Sequence, residues 1–243
     1  RQRQMCIRDR LMDMHAKLDS EPDEHTPSPP VSITLPDQSN THSQDPNVNR
    51  ALSTAIGESV SLWPLLPANQ IEHYKRPPTP DNFDQMAYFR ELFARTDDEP
   101  LPDLSMFPAE LFIYESSPGT YFDAFPLLIM TTASLNAMAA ATDESNFDVR
   151  RFRPNIVLDT EAEGFVENNW VGKRLQLGSA ILTINAICPR CVMTTHGFAD
   201  LPKDPKVMRS LVKQNDGNLG VYASIERPGN VKVGDTAEWL PAS

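Results

Sequence analysis

The sequence predicts an α+β protein, mostly β with flanking helices, and three observations carry that reading. Short apolar, β-branched runs such as "PLLIM" (126–130) and "ILTINAI" (181–187) recur along the chain and read as buried strands. Helical periodicity is confined to a few segments with their own start and stop signals. No internal repeat is visible, and 243 residues have room for one large domain or two small ones.

In chain order, "EPDEHTPSPP" (21–30) is a proline-rich loop too polar to pack, and "VSITLPDQSN" (31–40) alternates and then turns, as a strand does. Residues 49–66, "NRALSTAIGESVSLWPLL", read as a short helix followed by a strand, and 64–82 as an irregular, proline-rich excursion. In "TPDNFDQMAYFRELFARTDDEP" (79–100), Phe83, Met86, Ala87, Arg90 and Phe93 fall on one face of a helix that begins near Thr79–Asp81 and is stopped by Pro100. "PLLIMTTASLNAMAAATDES" (126–145) reads as a buried strand, a turn, and a helix that Ser134 caps. "RFRPNIVLDT" (151–160) is a strand opened by arginines. "RLQLGSAILTINAICPRCVMTT" (174–195) is a strand, a Gly-Ser turn and a longer strand running into two cysteines. In "LPKDPKVMRSLVKQNDGNLG" (201–220), Asp204 caps a helix, Pro205 sits in its first turn and glycines follow its end. The last stretch, "GVYASIERPGNVKVGDTAEWL" (220–240), is expected to close as a hairpin around Pro228-Gly229-Asn230.

Composition narrows the function classes. With 22 Lys and Arg against 33 Asp and Glu, the net charge of −11 argues against a nucleic-acid or anionic-membrane partner, although a local basic cluster can still hold a small anion. No apolar run is long enough to span a bilayer and no secretory signal pattern is visible. Three cysteines in 243 residues do not make a disulfide framework, so the expected compartment is a reducing cytoplasm. The opening "RQRQMCIRDR" (1–10) is unlike the rest and reads as a non-native leader, which sets Cys6 aside. The phosphate-loop, dinucleotide, zinc-protease and serine-hydrolase motifs are all missing.

Chemistry-bearing residues gather in three places. The first is "ICPRCVMTTHG" (187–197). A redox dithiol wants its cysteines at a helix start, whereas Cys188 and Cys191 follow a strand and precede β-branched residues. A structural zinc site needs four ligands, and only Cys188, Cys191 and His196 are near in sequence. A single thiolate beside Arg190 and a row of hydroxyls suits a softer transition metal, and a buried, inert thiol is the plain alternative. The second place is "DVRRFRPNIVLD" (148–159), where Arg150, Arg151 and Arg153 either clamp a phosphate or carboxylate or simply open a strand. The third is "MTTASL" (130–135), whose hydroxyls and helix-start amides either form an anion site or a plain cap.

Taken in order, "RRFRPNIVLD", "ENNWVGKRLQLGSAILTINAICPRCVMTT" and "GNLGVYASIERPGNVKVGDTAEWL" resemble the motifs of the MOSC domain, the family named for the C-terminal domain of molybdenum-cofactor sulfurase. The resemblance is strong over roughly 121–240, and 28–66 resemble the part that precedes it. It implies a β-barrel with flanking helices and a domain core at 121–243, with 11–120 as the N-terminal part. It also implies binding of the molybdenum cofactor (molybdopterin), a pterin dithiolene that carries a phosphate. Cys191 matches the cysteine that ligates molybdenum in amidoxime-reducing relatives and is held to carry sulfur in sulfurase relatives. Arg153 and Asn155 match pterin- or phosphate-contacting residues, Thr132 and Ser134 the hydroxyl turn at the cofactor, and Arg190 a further candidate contact. The N-terminal strands of full-length relatives find no counterpart in the opening residues, and the expectation is a barrel with an open edge. No iron–sulfur cysteine set is present, so a reductase built on this chain takes electrons from a separate donor protein, and the resemblance to the reductase relatives implies a small-molecule substrate of N-hydroxylated type. The alternative is a non-catalytic sulfur or cofactor carrier with a persulfide on Cys191.

Overall fold

A computed structural model describes residues 10–23 and 25–241, so the leader expected at 1–10 lies almost wholly outside the described residues. Internal packing divides the chain into two units. The first holds the described residues up to Gln70 with Pro118–Thr120 and His196–Lys203; the second holds Ile71–Ser117, Tyr121–Thr195 and the chain from Asp204 onward.

In the first unit, β1 (His15–Leu18), β2 (Val31–Thr34) and β3 (Asn40–His42) pair antiparallel in that order. The helix α1 (Val48–Ile56) follows, as its spacing predicts: Val48, Leu52 and Ile56 fall on one face and are buried. Val48 and Leu52 pack with Ile33 and Leu35 of the strand side. The strand expected after α1 does not form. Its backbone is bonded by α1 side chains instead, Val60 N–H to Ser53 Oγ (3.0 Å) and Leu62 N–H to Asn49 Oδ1 (2.7 Å). Those groups therefore need no ladder partner.

The second unit begins with short helices in the proline-rich excursion: α2 (Ile71–Tyr74), α3 (Gln85–Leu92) and α4 (Glu110–Ile113). The helix expected from Thr79 to Pro100 is only α3, capped by Asp84, which accepts from Ala87 N–H. None of its residues is buried, and Phe83 and Met86 of the expected apolar face are 42% and 57% exposed.

Beyond it come β4 (Leu127–Thr131), α5 (Thr132–Ala141), β5 (Ile156–Leu158), β6 (Arg174–Leu177), β7 (Ala180–Pro189), α6 (Lys206–Asn215), β8 (Asn218–Arg227) and β9 (Ala237–Leu240). They build a six-stranded sheet in the order β5-β4-β8-β7-β6-β9. The β4–β5 pair is parallel and the other pairs are antiparallel. β5 and β9 are its two edges, so the expected barrel is an open sheet among the described residues. Both faces are covered. Leu128 and Met130 of β4 join Met138, Phe152, Cys188, Met208 and Leu211 on one side, and Ile129 joins Leu175, Leu182, Ile184 and Val221 on the other. That two-sided burial explains why "LLIM" reads as a continuous apolar run rather than an alternation.

Two local expectations change. Thr131, not Ser134, caps α5, its hydroxyl accepting from Ser134 N–H at 3.0 Å. The hairpin expected at Pro228-Gly229-Asn230 is a crossing: β8 pairs with β7 and β4, whereas β9 pairs with β6. The 228–230 turn is tied to the Gly178-Ser179 turn through Ser179 N–H to Asn230 O (3.1 Å) and Asn230 N–H to Ser179 Oγ (2.8 Å). That tie carries the chain past β7 to the free edge of β6 and leaves β8 no place for a third neighbour.

Candidate functional site

β7 delivers the cysteines. It runs beside β8 as far as Pro189 opposite Asn218, with register shifts at Ile184/Ala186 and Ile187/Pro189 that turn its last residues. Arg190 N–H still bonds Gly217 O (2.9 Å); Cys191 then opens a 3-10 turn, Val192–Thr195, its carbonyl accepting from Thr194 N–H (3.2 Å) and Oγ1 (3.0 Å). Cys188 is buried and Cys191 half-buried, and both thiols are free. Among the described residues no group of three His, Cys, Asp or Glu side chains is arranged to hold a metal ion.

The two thiols live in different surroundings. Cys188 Sγ accepts from Arg190 Nη1 at 2.9 Å, and the Tyr222 phenol of β8 lies beside the same sulfur. Burial, reinforced by Cys188, pushes the Tyr222 phenol well above its ordinary range, so it stays protonated. Cys191 lacks such a partner set. Burial pushes its thiol up, the Met193 N–H and the Arg190 charge oppose that, and Asp123 adds to it, with a net upward shift.

The arginine cluster is split three ways. Asp148 caps the 3-10 turn Val149–Arg151 and pairs with Arg150, whose Nη2 lies 2.7 Å from Asp148 Oδ2. Arg151 is buried and donates Nε–H to Asn146 O (3.0 Å). Arg153 is exposed, has a left-handed backbone (φ 53°), and its guanidinium has no partner among the described residues. Asn155 bonds Leu128 twice, N–H to O at 2.9 Å and Leu128 N–H to Oδ1 at 2.8 Å, which sets the start of β5 beside β4.

The hydroxyl turn stands elsewhere on the sheet. Thr132 Oγ1 donates to Asp159 Oδ1 (2.8 Å), and Ser134 is fully buried, its Oγ donating to Thr131 O (3.2 Å), so Ser134 shapes the turn from inside. Because β4 and β5 are parallel, Asn155 lies at the Leu128 end and Thr132 beyond the Thr131 end, roughly 13 Å apart along the strand. By contrast, Arg190 Nη2 donates to Phe152 O at 2.7 Å, so the cysteine and arginine clusters do meet. Sequence reasoning missed Tyr222, Asp159 and Glu167. Glu167 is fully buried in "FVENNW", where its polar neighbours suggest a surface; Oε2 accepts from Thr131 Oγ1 (2.9 Å) and Oε1 has no partner among the described residues. A cleft of about 640 Å³ in the first unit, lined by Leu35, Asp37, Asn47 and Arg50 among others, includes none of the expected site residues.

A sheet covered on both faces thus carries, just past the end of its long central strand, a free, half-buried thiol. Residues 117–238, about half the chain, match the MOSC domain model, and the chain belongs to the MOSC domain family. Among curated relatives, mitochondrial amidoxime reducing component 2 of Bos taurus is 27% identical over 168 residues, 64% of this chain and 46% of that protein. The Homo sapiens protein of the same name is 34% identical over 128 residues, 47% and 37%. Mitochondrial amidoxime-reducing component 1 of Mus musculus is 29% identical over 128 residues, 47% and 36%. The chain spans less than half the length of these relatives. A solved structure described as a hypothetical protein aligns over 47% of this chain and 51% of its own at 18% identity and a TM-score of 0.37. No helix among the described residues is long and apolar enough to cross a membrane.

Proposed function

We propose that this chain binds the molybdenum cofactor with Cys191 as its sulfur ligand and acts as an oxidoreductase on N-hydroxylated small molecules. One observation carries the reading. The residues that the family resemblance assigns to metal and phosphate, Cys191 and Arg153, are those whose side chains the fold leaves free: the thiol is unbridged and half-buried, and the guanidinium is exposed and unpartnered among the described residues. A soft thiol and an unpaired guanidinium suit a metal carried by a phosphate-bearing ligand. Arg150 and Arg151, spent on Asp148 and Asn146, do not compete for that role.

Bound there, the cofactor supplies two-electron, oxygen-atom chemistry. The chain's own residues hold and orient. Burial keeps the Cys191 thiol protonated, so binding a metal releases that proton from Sγ. Arg153 offers a two-pronged hydrogen-bond donor to an anion. Thr132 borders the opposite strand end, where Asp159 fixes its hydroxyl, and Asn155 presents whatever its bond to Leu128 leaves free. Electrons come from a separate donor protein. The relatives are named as mitochondrial, whereas cysteine usage in this chain suits any reducing compartment, and we place it in the cytoplasm.

The test is metal analysis and pterin fluorescence after oxidation, run on the chain and on Cys191→Ser from a host that makes the cofactor. Near-stoichiometric molybdenum and pterin, with the metal lost from the variant, is the expected result. Neither metal nor pterin in the unaltered chain refutes it and leaves the carrier reading, which an added sulfur atom on Cys191 in the mass spectrum would reveal.

A further inference from the structure

Arg190 separates the two thiols in sequence, and its side chain is turned into the protein. The guanidinium is 9% exposed, with Nη1 on Cys188 Sγ at 2.9 Å and Nη2 on the Phe152 carbonyl at 2.7 Å. It also lies over the Phe152 ring, 5.6 Å from its centroid. One residue past Arg190 is Cys191, and one residue past Phe152 is Arg153. The flanking 3-10 turns, Val149–Arg151 and Val192–Thr195, pack together. Thus Cys191 follows the residue that carries the fork, and Arg153 follows the residue that one of its prongs grips.

We infer that Arg190 is a positioning residue: a strut that sets the spacing of the Cys191 thiol and the Arg153 guanidinium, and not itself a contact to a bound anion. The inference rests on the reading of Cys191 and Arg153 as one binding pair. Three features support it. A planar fork can hold a sulfur and a carbonyl at once, which a lysine ammonium cannot do with the same geometry. Nε is buried without a partner among the described residues, and a buried guanidinium with an unmet donor is a poor source of stability, so geometry is the better account of its presence. The left-handed backbone at Arg153 persists only if its surroundings hold it, and the carbonyl one residue earlier is the one that Arg190 grips.

The experiment reads the spacing without any cofactor. Cys191 in the 243-residue chain carrying Cys6→Ser is alkylated by iodoacetate, an anion, and by neutral iodoacetamide, with the labelled residue assigned by peptide mass. In water a unit charge at a separation of about 6 Å would favour an anionic reagent by roughly threefold, so Arg153→Ala is expected to lower the iodoacetate-to-iodoacetamide rate ratio by up to about that factor. Arg190→Lys keeps the charge and loses the fork, and its ratio is expected to fall to the Arg153→Ala value. Cys188→Ala, which frees one prong and keeps the charge, is expected to fall part of the way, and it carries the test should Arg190→Lys not fold. Retention of the unaltered ratio in both strut variants overturns the inference, as does an Arg153→Ala ratio that does not move. Because these rates need no metal, a chain that holds no molybdenum fails the functional reading, and the rate ratios decide separately whether the strut stands.

Discussion

Arg153 offers a separation of stability from function. Its φ of 53° lies in the left-handed region, where a residue with a Cβ is strained by about 1–2 kcal/mol. Its side chain has no partner among the described residues, so the fold gains little from it directly. Arg153→Ala keeps the strain and removes only the guanidinium, so unfolding free energy is expected to stay within about 0.5 kcal/mol of the unaltered chain. Arg153→Gly removes the strain, but glycine's greater freedom when unfolded takes back about 0.5–1 kcal/mol. The glycine variant should therefore be more stable than the alanine variant by roughly 0.5–1 kcal/mol, or about 1–4 °C in midpoint for a chain of this size. The proposed function predicts that both lose cofactor alike, since both lack the donor fork. Thermal and urea unfolding of cofactor-free protein measure the first quantity, and pterin content after expression measures the second. A glycine variant less stable than the alanine variant, or an alanine variant weakened by more than about 1 kcal/mol, would refute the reasoning, because either means that Arg153 is held by contacts rather than strained against them.

Three further outcomes are expected. At Gly220 (φ 81°) an added Cβ would stand 2.7 Å from the Ile129 carbonyl, so Gly220→Ala should push β8 from β4 and cost about 2–4 kcal/mol in urea unfolding; a cost below about 0.5 kcal/mol would contradict the β4–β8 register. Because the Cys191 thiol is shifted upward, less of it is ionised at a given pH than in a free thiol, so iodoacetamide should label it slowly near neutrality and its rate should still be climbing at about pH 9, whereas a plateau below about pH 8 would mean the shift runs the other way. Glu167→Ala removes one of the two buried acceptors of the Thr131 hydroxyl, leaving Ser134 Oγ at 3.1 Å, and opens a void beneath the start of α5, for about 1–3 kcal/mol by thermal unfolding, whereas Glu167→Gln, which keeps an acceptor oxygen, should cost less; equal costs would show that the carboxyl shape is not what holds the turn.

Much of what was legible in the sequence is local. The strand–turn–strand at 174–189 and the helix that follows Asp204 and Pro205 are found where expected, because backbone propensity, turn chemistry and caps are written in adjacent residues. The ordered motifs likewise marked the family. Expectations that needed a distant partner fared differently. "TAEWL" has the same strand character whether it folds back on β8 or lies beside β6, and only the turn-to-turn bonds at Ser179 and Asn230 decide between them. The apolar face expected around α3 has helical spacing, but it is buried only at Phe93, just past the helix end, while Phe83 and Met86 stay exposed.

The same division runs through the site. Spacing put three arginines within four positions, and a CxxC in the same chain, without saying which side chain would be spent. Tertiary contacts made that choice: Asp148 takes Arg150, Asn146 takes Arg151, Cys188 and Phe152 take Arg190, and Arg153 and Cys191 are left over. Sequence by itself determined which chemistry could be assembled, since thiols and guanidiniums are properties of residues. Which of them the protein itself engages was decided by the folded chain, because most buried polar groups must find a partner and the fold chooses it.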